Sequence, residues 1–296
     1  MTRCVRKSWC VLAAVLAVSP VSAQQNTIVF SDDFSTIRNW VYFDSSRVRV
    51  VDGKLVVEDE QTVIAYFSAP GGGKQTVGPN ESLQVSLKLS HADLEDQRRG
   101  IRIGLFDSNA APLPPASSPS TSDRVFQGYD GYLFSWNPAP ESGGNSLQLR
   151  YRTPGGQSGE AASTSLMESF EDTFSRRGII AGTAPPLTFF AEGTDYLVTY
   201  TISRGSTSEL SLTLSITGGN AANFSRTSIV SAPSTTEFNA LALYSDGGVS
   251  SFTIDNVLIT YTAVPEPSTY AASAGAAVLG LAFWRRRRAA AKALAA

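Results

Sequence analysis

Hydrophobic and polar residues alternate with a period of two along much of the chain. The clearest case is the segment 83–89, in which leucine or valine occupies every second position. The same alternation occurs in 101–105, 196–202 and 210–216. Since successive side chains of a strand point to opposite faces, this pattern predicts strands with one face toward a core. Further β-rich segments are 48–51, 54–58, 63–67, 131–136, 146–151, 241–244 and 251–261.

These segments predict an all-β fold. About a dozen short strands, separated by glycine, proline and serine, are typical of an antiparallel β-sandwich. Asp52-Gly53 stands between two predicted strands and predicts a tight hairpin turn. Only residues 165–177 have a helical pattern, and that segment is short.

Two segments do not fit the strand framework. Residues 109–123 are dense in proline, serine and alanine, which predicts a surface loop. Residues 153–193 begin with a glycine-rich stretch and contain Pro185-Pro186 near their end. An insertion of this length in a compact domain is either functional or disordered.

The N-terminus has the parts of a secretory signal peptide. An apolar stretch covers 9–18, and Ala23 ends a small-residue cleavage site before Gln24. The basic residues that precede the apolar stretch are Arg3, Arg6 and Lys7. We predict that residues 1–23 are removed on export. Both cysteines of the chain lie in this leader, so the predicted mature protein contains no disulfide.

The C-terminus joins a proline-containing motif, an apolar run and a basic cluster. The motif is formed by Val264, Pro265, Glu266 and Pro267. Residues 268–284 carry no formal charge, and their number is near the lower limit of the ~17–25 residues with which a helix crosses a bilayer. The cluster consists of Arg285, Arg286, Arg287 and Arg288, which predict a cytoplasmic end by the positive-inside rule. We therefore predict a transmembrane helix with its arginine cluster over 270–288 and a cytoplasmic tail over 289–296.

This order of motif, apolar run and arginines resembles the PEP-CTERM sorting signal of bacterial surface proteins. The resemblance implies recognition by an exosortase, removal of the tail near Pro267, and delivery from the inner membrane to the surface or matrix of a Gram-negative bacterium. The alternative is a plain single-span anchor with a proline-containing stalk. The resulting domain organisation is a signal peptide at 1–23, a β-sandwich ectodomain at 24–262, and the sorting motif at 263–269 ahead of the helix.

The charge of the predicted mature core limits its partners. Three basic residues lie in the leader and five in the tail, so 16 of the chain's 24 remain against 26 acidic residues, a net charge of −10. An acidic core argues against nucleic acid and anionic membrane surfaces as partners. It is compatible with divalent cations and with neutral glycans.

The two ends of the core resemble the first and last strands of concanavalin A-like and carbohydrate-binding-module jelly rolls. The segments that carry this resemblance are 30–35, followed by Trp40, and 252–257. The resemblance implies that the terminal strands pair, and that Asp32 or Asp33 holds a structural Ca²⁺ together with Asp255. Oxygen ligands suit this hard cation. The alternative is that these aspartates only cap a turn and a strand edge.

Aromatic residues are the candidates for sugar binding, because flat sugar faces dock on aromatic rings. The candidates are Trp40, Tyr129, Tyr132 and Trp136. Tyr132, Phe134 and Trp136 share one strand face, and Leu133 and Ser135 share the other. One of these faces must belong to the core, and the larger aromatic face is the more natural choice.

Candidate catalytic residues are few. The predicted mature chain has one histidine, His91, which we place in a turn after the 83–89 strand. Glu168, Glu171 and Asp172 form an acidic cluster inside the insertion, without the strand-borne pattern of the glucanases of this fold. We therefore expect a non-enzymatic protein that associates with exopolysaccharide. The alternative is a secreted glycoside hydrolase or lyase displayed by the same signal.

Overall fold

The computed structural model describes residues 25–58, 61–94, 100–109, 126, 128–136, 147–152, 166–167, 174–179, 191–219, 221–245, 249–263 and 275–287. Seventeen strands follow one another along the described chain. They are β1 Gln25–Asp32, β2 Trp40–Tyr42, β3 Val48–Val51, β4 Lys54–Glu58, β5 Thr62–Tyr66, β6 Gln75–Thr76, β7 Ser82–Leu94, β8 Ile101–Asp107, β9 Asp130–Trp136, β10 Leu147–Arg152, β11 Phe174–Ile179, β12 Tyr196–Arg204, β13 Leu210–Gly218, β14 Ala221–Val230, β15 Glu237–Phe238, β16 Ala240–Ser245 and β17 Val249–Ala263.

The strands form two large antiparallel sheets, which confirms the predicted β-sandwich. Sheet A has the order β14-β13-β12-β7-β17-β4-β3, with β1 also paired to β17. Sheet B has the order β11-β10-β9-β8-β16-β5-β2, and β15 pairs with β6 in a small third sheet. The pairing of β1 with β17 confirms the expected association of the terminal strands. Residues Asn26–Ala263 form a compact unit that excludes both terminal segments.

The main core lies between the sheets and is built by the period-two pattern. In β12 and β13 every second residue is buried, from Tyr196 to Ile202 and from Leu210 to Ile216. Tyr132 and Phe134 of β9 face this same core from sheet B. The aromatic face of β9 is therefore core, as the alternative interpretation of that strand expected.

The Asp52-Gly53 hairpin is confirmed in detail. Val51 pairs with Lys54 across the turn, which leaves a two-residue loop between β3 and β4. Both loop residues have positive φ, 51° for Asp52 and 73° for Gly53. Two left-handed residues match the twist of a tight hairpin, and aspartate followed by glycine adopts this conformation readily.

Two local predictions were wrong. His91 does not lie in a turn: β7 continues to Leu94 because it pairs with β17, and His91 sits opposite Phe252 with 2% of its surface exposed. The helical prediction for 165–177 fails at its end, where Phe174–Ile179 is a strand paired with β10. Hydrogen bonding to an existing sheet edge outweighs a weak helical pattern there.

The free edge of sheet A carries a protective charge. β14 is the edge strand, and its Arg226 lies between Phe224 and Ser228, on the inward-pointing side of the strand. The guanidinium stacks over the Phe224 ring, with Cζ 5.2 Å from the ring centroid. An inward-pointing charge on an edge strand discourages pairing with another chain.

Candidate functional site

The sandwich is complete before the sorting motif begins. β17 is hydrogen-bonded between β7 and β4 and ends at Ala263, one residue before Val264. The motif residues Val264, Pro265, Glu266 and Pro267 lie outside the described residues, as do Ala23 and Gln24 of the predicted leader cleavage. No residue after Ala263 belongs to the compact unit, so removal of the tail leaves both large sheets whole.

A helix, α1, covers residues 275–287, and all of its described side chains are exposed. Arg285, Arg286 and Arg287 form its last turn, where positive charge interacts favourably with the helix dipole. Arg288 lies outside the described residues. Within the described part of the chain, no helix combines the length and hydropathy needed to cross a membrane.

Asp32 is engaged by the protein itself. Its Oδ1 accepts the backbone N–H of Phe34 at 2.7 Å, and its Oδ2 accepts Asn39 Nδ2 at 3.1 Å and Trp40 Nε1 at 3.0 Å. The side chain is largely buried, and Phe34 has a positive φ of 56°. Asp32 therefore fixes the turn that places the rings of Phe34 and Trp40 in the core, with centroids 5.6 Å apart.

The other two predicted calcium ligands also have structural roles. Asp33 accepts the backbone N–H of Ser35 at 3.0 Å, and this hydrogen bond lowers the pKa of its carboxyl. Asp255 lies opposite Lys88 in the β17–β7 pairing, next to the bulge before Leu258. Among the residues that the structure describes, no three His, Cys, Asp or Glu side chains form a group suited to a metal ion. The hydrogen bonds of Asp32 and Asp33 match the turn-and-edge alternative, and the calcium site of Asp32 or Asp33 with Asp255 stays a prediction.

Three of the four predicted sugar-binding rings are buried. Trp40, Tyr129 and Tyr132 each expose 1% of their surface or less. The Tyr132 hydroxyl donates to the carbonyl of Thr235 at 3.1 Å, and Trp40 Nε1 is held by Asp32. A ring that docks a sugar needs a free face, so these three residues are corrected to core positions. Trp136 ends β9, and its side chain lies outside the described part of the structure.

The outer face of sheet B forms a second core. All seven residues of β8 are buried, those that point outward as well as those that point inward. Phe126 and Tyr129 from the segment before β9, together with Leu166 and Met167 from the segment after β10, belong to this cluster. The outer face of sheet B is therefore covered by chain segments that follow β8 and β10.

Three arginines are buried on sheet B, and two of them, Arg152 and Arg102, hold these segments. Arg152 donates to the carbonyl of Phe126 at 2.7 Å and to that of Leu166 at 3.3 Å. Arg102 donates to the carbonyl of Met167, and its guanidinium carbon lies 4.8 Å from the Tyr244 ring centroid. Arg150 donates to the side chain of Gln148 at 3.0 Å. Burial lowers the pKa of Arg152 to about 10, so it remains protonated at neutral pH.

Tyr66 and Tyr129 join this cluster through a hydrogen bond between their hydroxyls. Burial raises the pKa of Tyr129, and the neighbouring Tyr66 raises it further. A phenol in this state stays protonated at neutral pH, so it can donate or accept hydrogen bonds but cannot act as a base.

A polar cluster, which we call the rim cluster, lies at the end of β8. Lys74 Nζ is 2.7 Å from Asp107 Oδ2, 2.9 Å from Asn109 Oδ1 and 3.5 Å from Glu237 Oε2. Burial lowers the pKa of Lys74, but its hydrogen bond and charge interaction with Asp107 outweigh this, and the net shift is upward. The lysine is one-third exposed, so the cluster reaches the surface.

Asp130 extends the rim cluster as a third carboxylate, beside those of Asp107 and Glu237. It pairs directly with Asp107 across β8 and β9, and its Oδ1 accepts the Ser234 hydroxyl at 2.6 Å. Burial raises the pKa of Asp130, and the charge of Asp107 adds to this effect. Sequence analysis missed this pair, because single acidic residues at two strand ends give no signal until the strands are paired.

The comparisons with known proteins bear on the tail and on the sandwich separately. Residues 263–288 match the PEP-CTERM protein-sorting motif, which confirms the resemblance identified in the C-terminal sequence. This motif marks the chain as a sorted, cell-surface-associated protein of Gram-negative bacteria. No curated protein matches the chain.

Solved structures with a similar arrangement of strands include plant lectins, carbohydrate recognition domains and an alginate lyase. Lectin I from Ulex europaeus, in complex with a methyl glycoside of α-L-fucose, is 12% identical, with a TM-score of 0.42 over 80% of this chain and 98% of the lectin. The alginate lyase Aly36B with an alginate trisaccharide is 12% identical, with a TM-score of 0.37 over 80% and 96%. The potassium-bound carbohydrate recognition domain of Emp46p is 9% identical, with a TM-score of 0.38 over 75% and 88%. Likenesses this distant say nothing about the ligand of this chain.

Proposed function

We propose that the protein is exported, processed at its PEP-CTERM motif by an exosortase, and retained at the cell surface as a β-sandwich that associates with extracellular polysaccharide. The match of residues 263–288 to the sorting motif carries this proposal. The position of the motif supports it, because the motif follows directly on the last strand of a complete sandwich.

Processing is tested by the mass of the surface-exposed protein. We expect a chain that begins at Gln24 and ends near Pro267, without the arginine cluster. A Pro265→Ala/Pro267→Ala variant should keep its tail and stay with the membrane fraction, while a Ser268→Ala/Thr269→Ala variant serves as the neighbouring control. A surface form that still carries Arg285–Arg288 would leave a simple anchored protein and contradict the proposal.

Polysaccharide association is tested with the folded unit alone. The structure supports the use of residues 24–267, since Asn26–Ala263 is compact by itself. We expect this fragment to co-sediment with, or to be retarded by, at least one extracellular polysaccharide in a panel of neutral and acidic polymers. Failure to bind any polymer would remove this part of the proposal and leave the sorting part intact.

The second candidate function is a carbohydrate-active enzyme displayed by the same signal. The observation in its favour is the Asp107–Asp130 pair, in which one carboxyl has a raised pKa and the other is held by Lys74. Glycosidases need one protonated and one ionised carboxyl near each other. We favour binding, because both carboxyls are buried and engaged by Lys74 and Ser234. Release of reducing ends or unsaturated sugars by the wild type, abolished in Asp130→Asn, would reverse this preference.

A further inference from the structure

The outer face of sheet A is rich in hydroxyl-bearing side chains. The strand registers align five residues in a row across β14, β13, β12, β7 and β17. These residues are Thr227, Thr213, Thr201, Gln84 and Thr260. The parallel row on one side runs from Ile229 to Thr262, and the row on the other side runs from Ser225 to Leu258. We call these three rows the hydroxyl face.

Serine and threonine dominate the hydroxyl face. Of its fifteen positions, twelve are serine or threonine, one is glutamine and two are apolar, and none carries a charge. Lys88 and Asp255 stand opposite each other in the next row, so charge begins at the border of the face. A surface free of charge is unusual on a core whose net charge is −10.

The hydroxyls are accessible and ordered by the sheet. In β12 and β13 the alternate residues are buried between the sheets, while the hydroxyl-bearing residues of the face are partly or fully exposed. Thr213 and Thr227 lie 2.8 Å apart at their Oγ1 atoms, and the Oγ atoms of Ser215 and Ser225 are also 2.8 Å apart. These cross-strand bonds fix the side-chain rotamers and leave further donor and acceptor capacity directed outward.

The dimensions of the face follow from strand geometry. Neighbouring strands lie about 4.8 Å apart and same-face residues about 6.8 Å apart, so five strands and three rows cover about 19 Å by 14 Å. Because small side chains fill this area, nothing on it projects far above its neighbours. At thirteen of its fifteen positions, this broad surface presents a side chain that both donates and accepts hydrogen bonds.

We propose that the hydroxyl face binds an extended, uncharged polysaccharide. The proposal rests on the polysaccharide association proposed above and adds the surface and the class of polymer. When a neutral glycan binds an uncharged face, no ion on either partner has to lose its water. The hydroxyls of the glycan can both donate and accept hydrogen bonds, as the hydroxyls of the face can. A charged polymer would gain no ion pair there.

The same chemistry sets the strength of binding. Without an aromatic platform in the three rows, each sugar makes only hydrogen bonds that replace bonds to water, so a single sugar binds weakly. Many such contacts along one chain, and several proteins on one polymer, raise the overall affinity without any new contact. Binding should therefore depend steeply on polymer length.

Two matched double variants test the face. Thr213→Lys/Thr260→Lys places two long charged side chains on the middle row, three strands apart, so the two lysines do not lie opposite each other. Ser206→Lys/Ser208→Lys makes the same change of type and charge in the exposed β12–β13 turn. Thr213→Ser/Thr260→Ser retains the hydroxyls. Thermal melts of all variants establish that each is folded before binding is measured.

The probes are long soluble neutral polymers (a β-glucan, a galactan and a mannan), a hexasaccharide from each, and an alginate of matched length. We expect the wild type to bind a long neutral polymer at least 10-fold more tightly than its hexasaccharide and than alginate. The lysine variant of the face should lose at least 10-fold in affinity, whereas the turn variant and the serine variant should stay within 2-fold of the wild type.

Each other result overturns the inference in a recognisable way. If the face variant binds the neutral polymer as the wild type does, polysaccharide association stands but occurs elsewhere, and the hydroxyl face is only a solvated sheet surface. Preferential binding of alginate would assign the ligand to a charged site instead. If the wild type binds none of the polymers, the proposed association itself fails, and the inference fails with it.

Discussion

Replacement of Asp32 by alanine should destabilise the sandwich far more than the same change at Asp33. Asp32 accepts three N–H groups, and those of Phe34 and Trp40 are buried. A buried donor that loses a charged acceptor costs about 1.5–3 kcal/mol, so two such donors predict a loss of about 3–6 kcal/mol. We expect the lower half of this range, because the space vacated by the carboxylate can admit water to the donors. For a domain of this size, about 4 kcal/mol corresponds to a fall in Tm of roughly 8–16 °C.

Asp33→Ala is the matched control. Its carboxylate is exposed and accepts the backbone N–H of Ser35, so the change should leave the melting temperature close to that of the wild type. Thermal and urea melts of the 24–267 fragment measure both variants, each with calcium and with a chelator. The reasoning is refuted if the two variants are equally stable. It is also refuted if chelation lowers the Tm of the wild type and Asp32→Ala abolishes that response, since Asp32 would then serve a metal.

Three further predictions concern single positions, and a fourth concerns the whole chain. Gly131→Ala should cost more than about 2 kcal/mol, because a Cβ there would lie 2.3 Å from a neighbouring backbone oxygen, whereas Gly71→Ala, which meets open space, should be nearly neutral in urea melts. The pKa of Asp130 is raised in the folded state, so its contribution to stability is present below the unfolded pKa and is lost as the pH rises through the folded pKa. The Tm of Asp130→Asn minus that of the wild type should therefore increase between pH 4 and 8. A difference that stays constant over this range would contradict the prediction. Arg226→Val should leave the melt nearly unchanged but increase aggregation measured by light scattering, while Arg47→Val should not. Melts with and without reductant should coincide for the mature protein, because both cysteines lie in the leader.

The main core could be predicted from the sequence because only one face of each strand of sheet A is buried. In β12 and β13 the alternation of apolar and hydroxyl-bearing residues correctly predicts which side of the strand faces the core. The sequence analysis did not predict β14, because its residues are mostly small and polar and show no clear alternation. Hydrogen bonding to β13 makes this segment a strand.

The period-two pattern does not identify the buried residues of sheet B, because both faces of this sheet are buried. Arg102 alternates with Ile101 and Ile103, so its position in the sequence indicates a solvent-facing side chain, yet it is 1% exposed. The groups that cover it, such as the carbonyl of Met167, come from a segment 65 residues away. Period two reports the orientation of a side chain but not what lies above the sheet. Of the predicted sugar-binding rings, Tyr129 is buried in this outer cluster, whereas Trp40 and Tyr132 are buried in the main core.

The join between β17 and the sorting motif constrains how the protein can be processed. β17 lies between β7 and β4, so sheet A is not continuous until the last described strand of the sandwich is in place. Pro267 follows Ala263, the last residue of β17, by only four positions in the sequence. An enzyme that cuts near Pro267 must therefore work within a few residues of a strand that the folded domain needs. Cleavage a few residues further upstream would remove hydrogen-bonded residues of β17, and a stable product requires that the cut fall after Ala263.

Extension of the join by a glycine-serine segment of six residues, placed between Ala263 and Val264, should leave the melt of the fragment unchanged and should maintain or increase the rate of tail removal in cells. A slower rate would show that the enzyme recognises the sandwich as well as the motif.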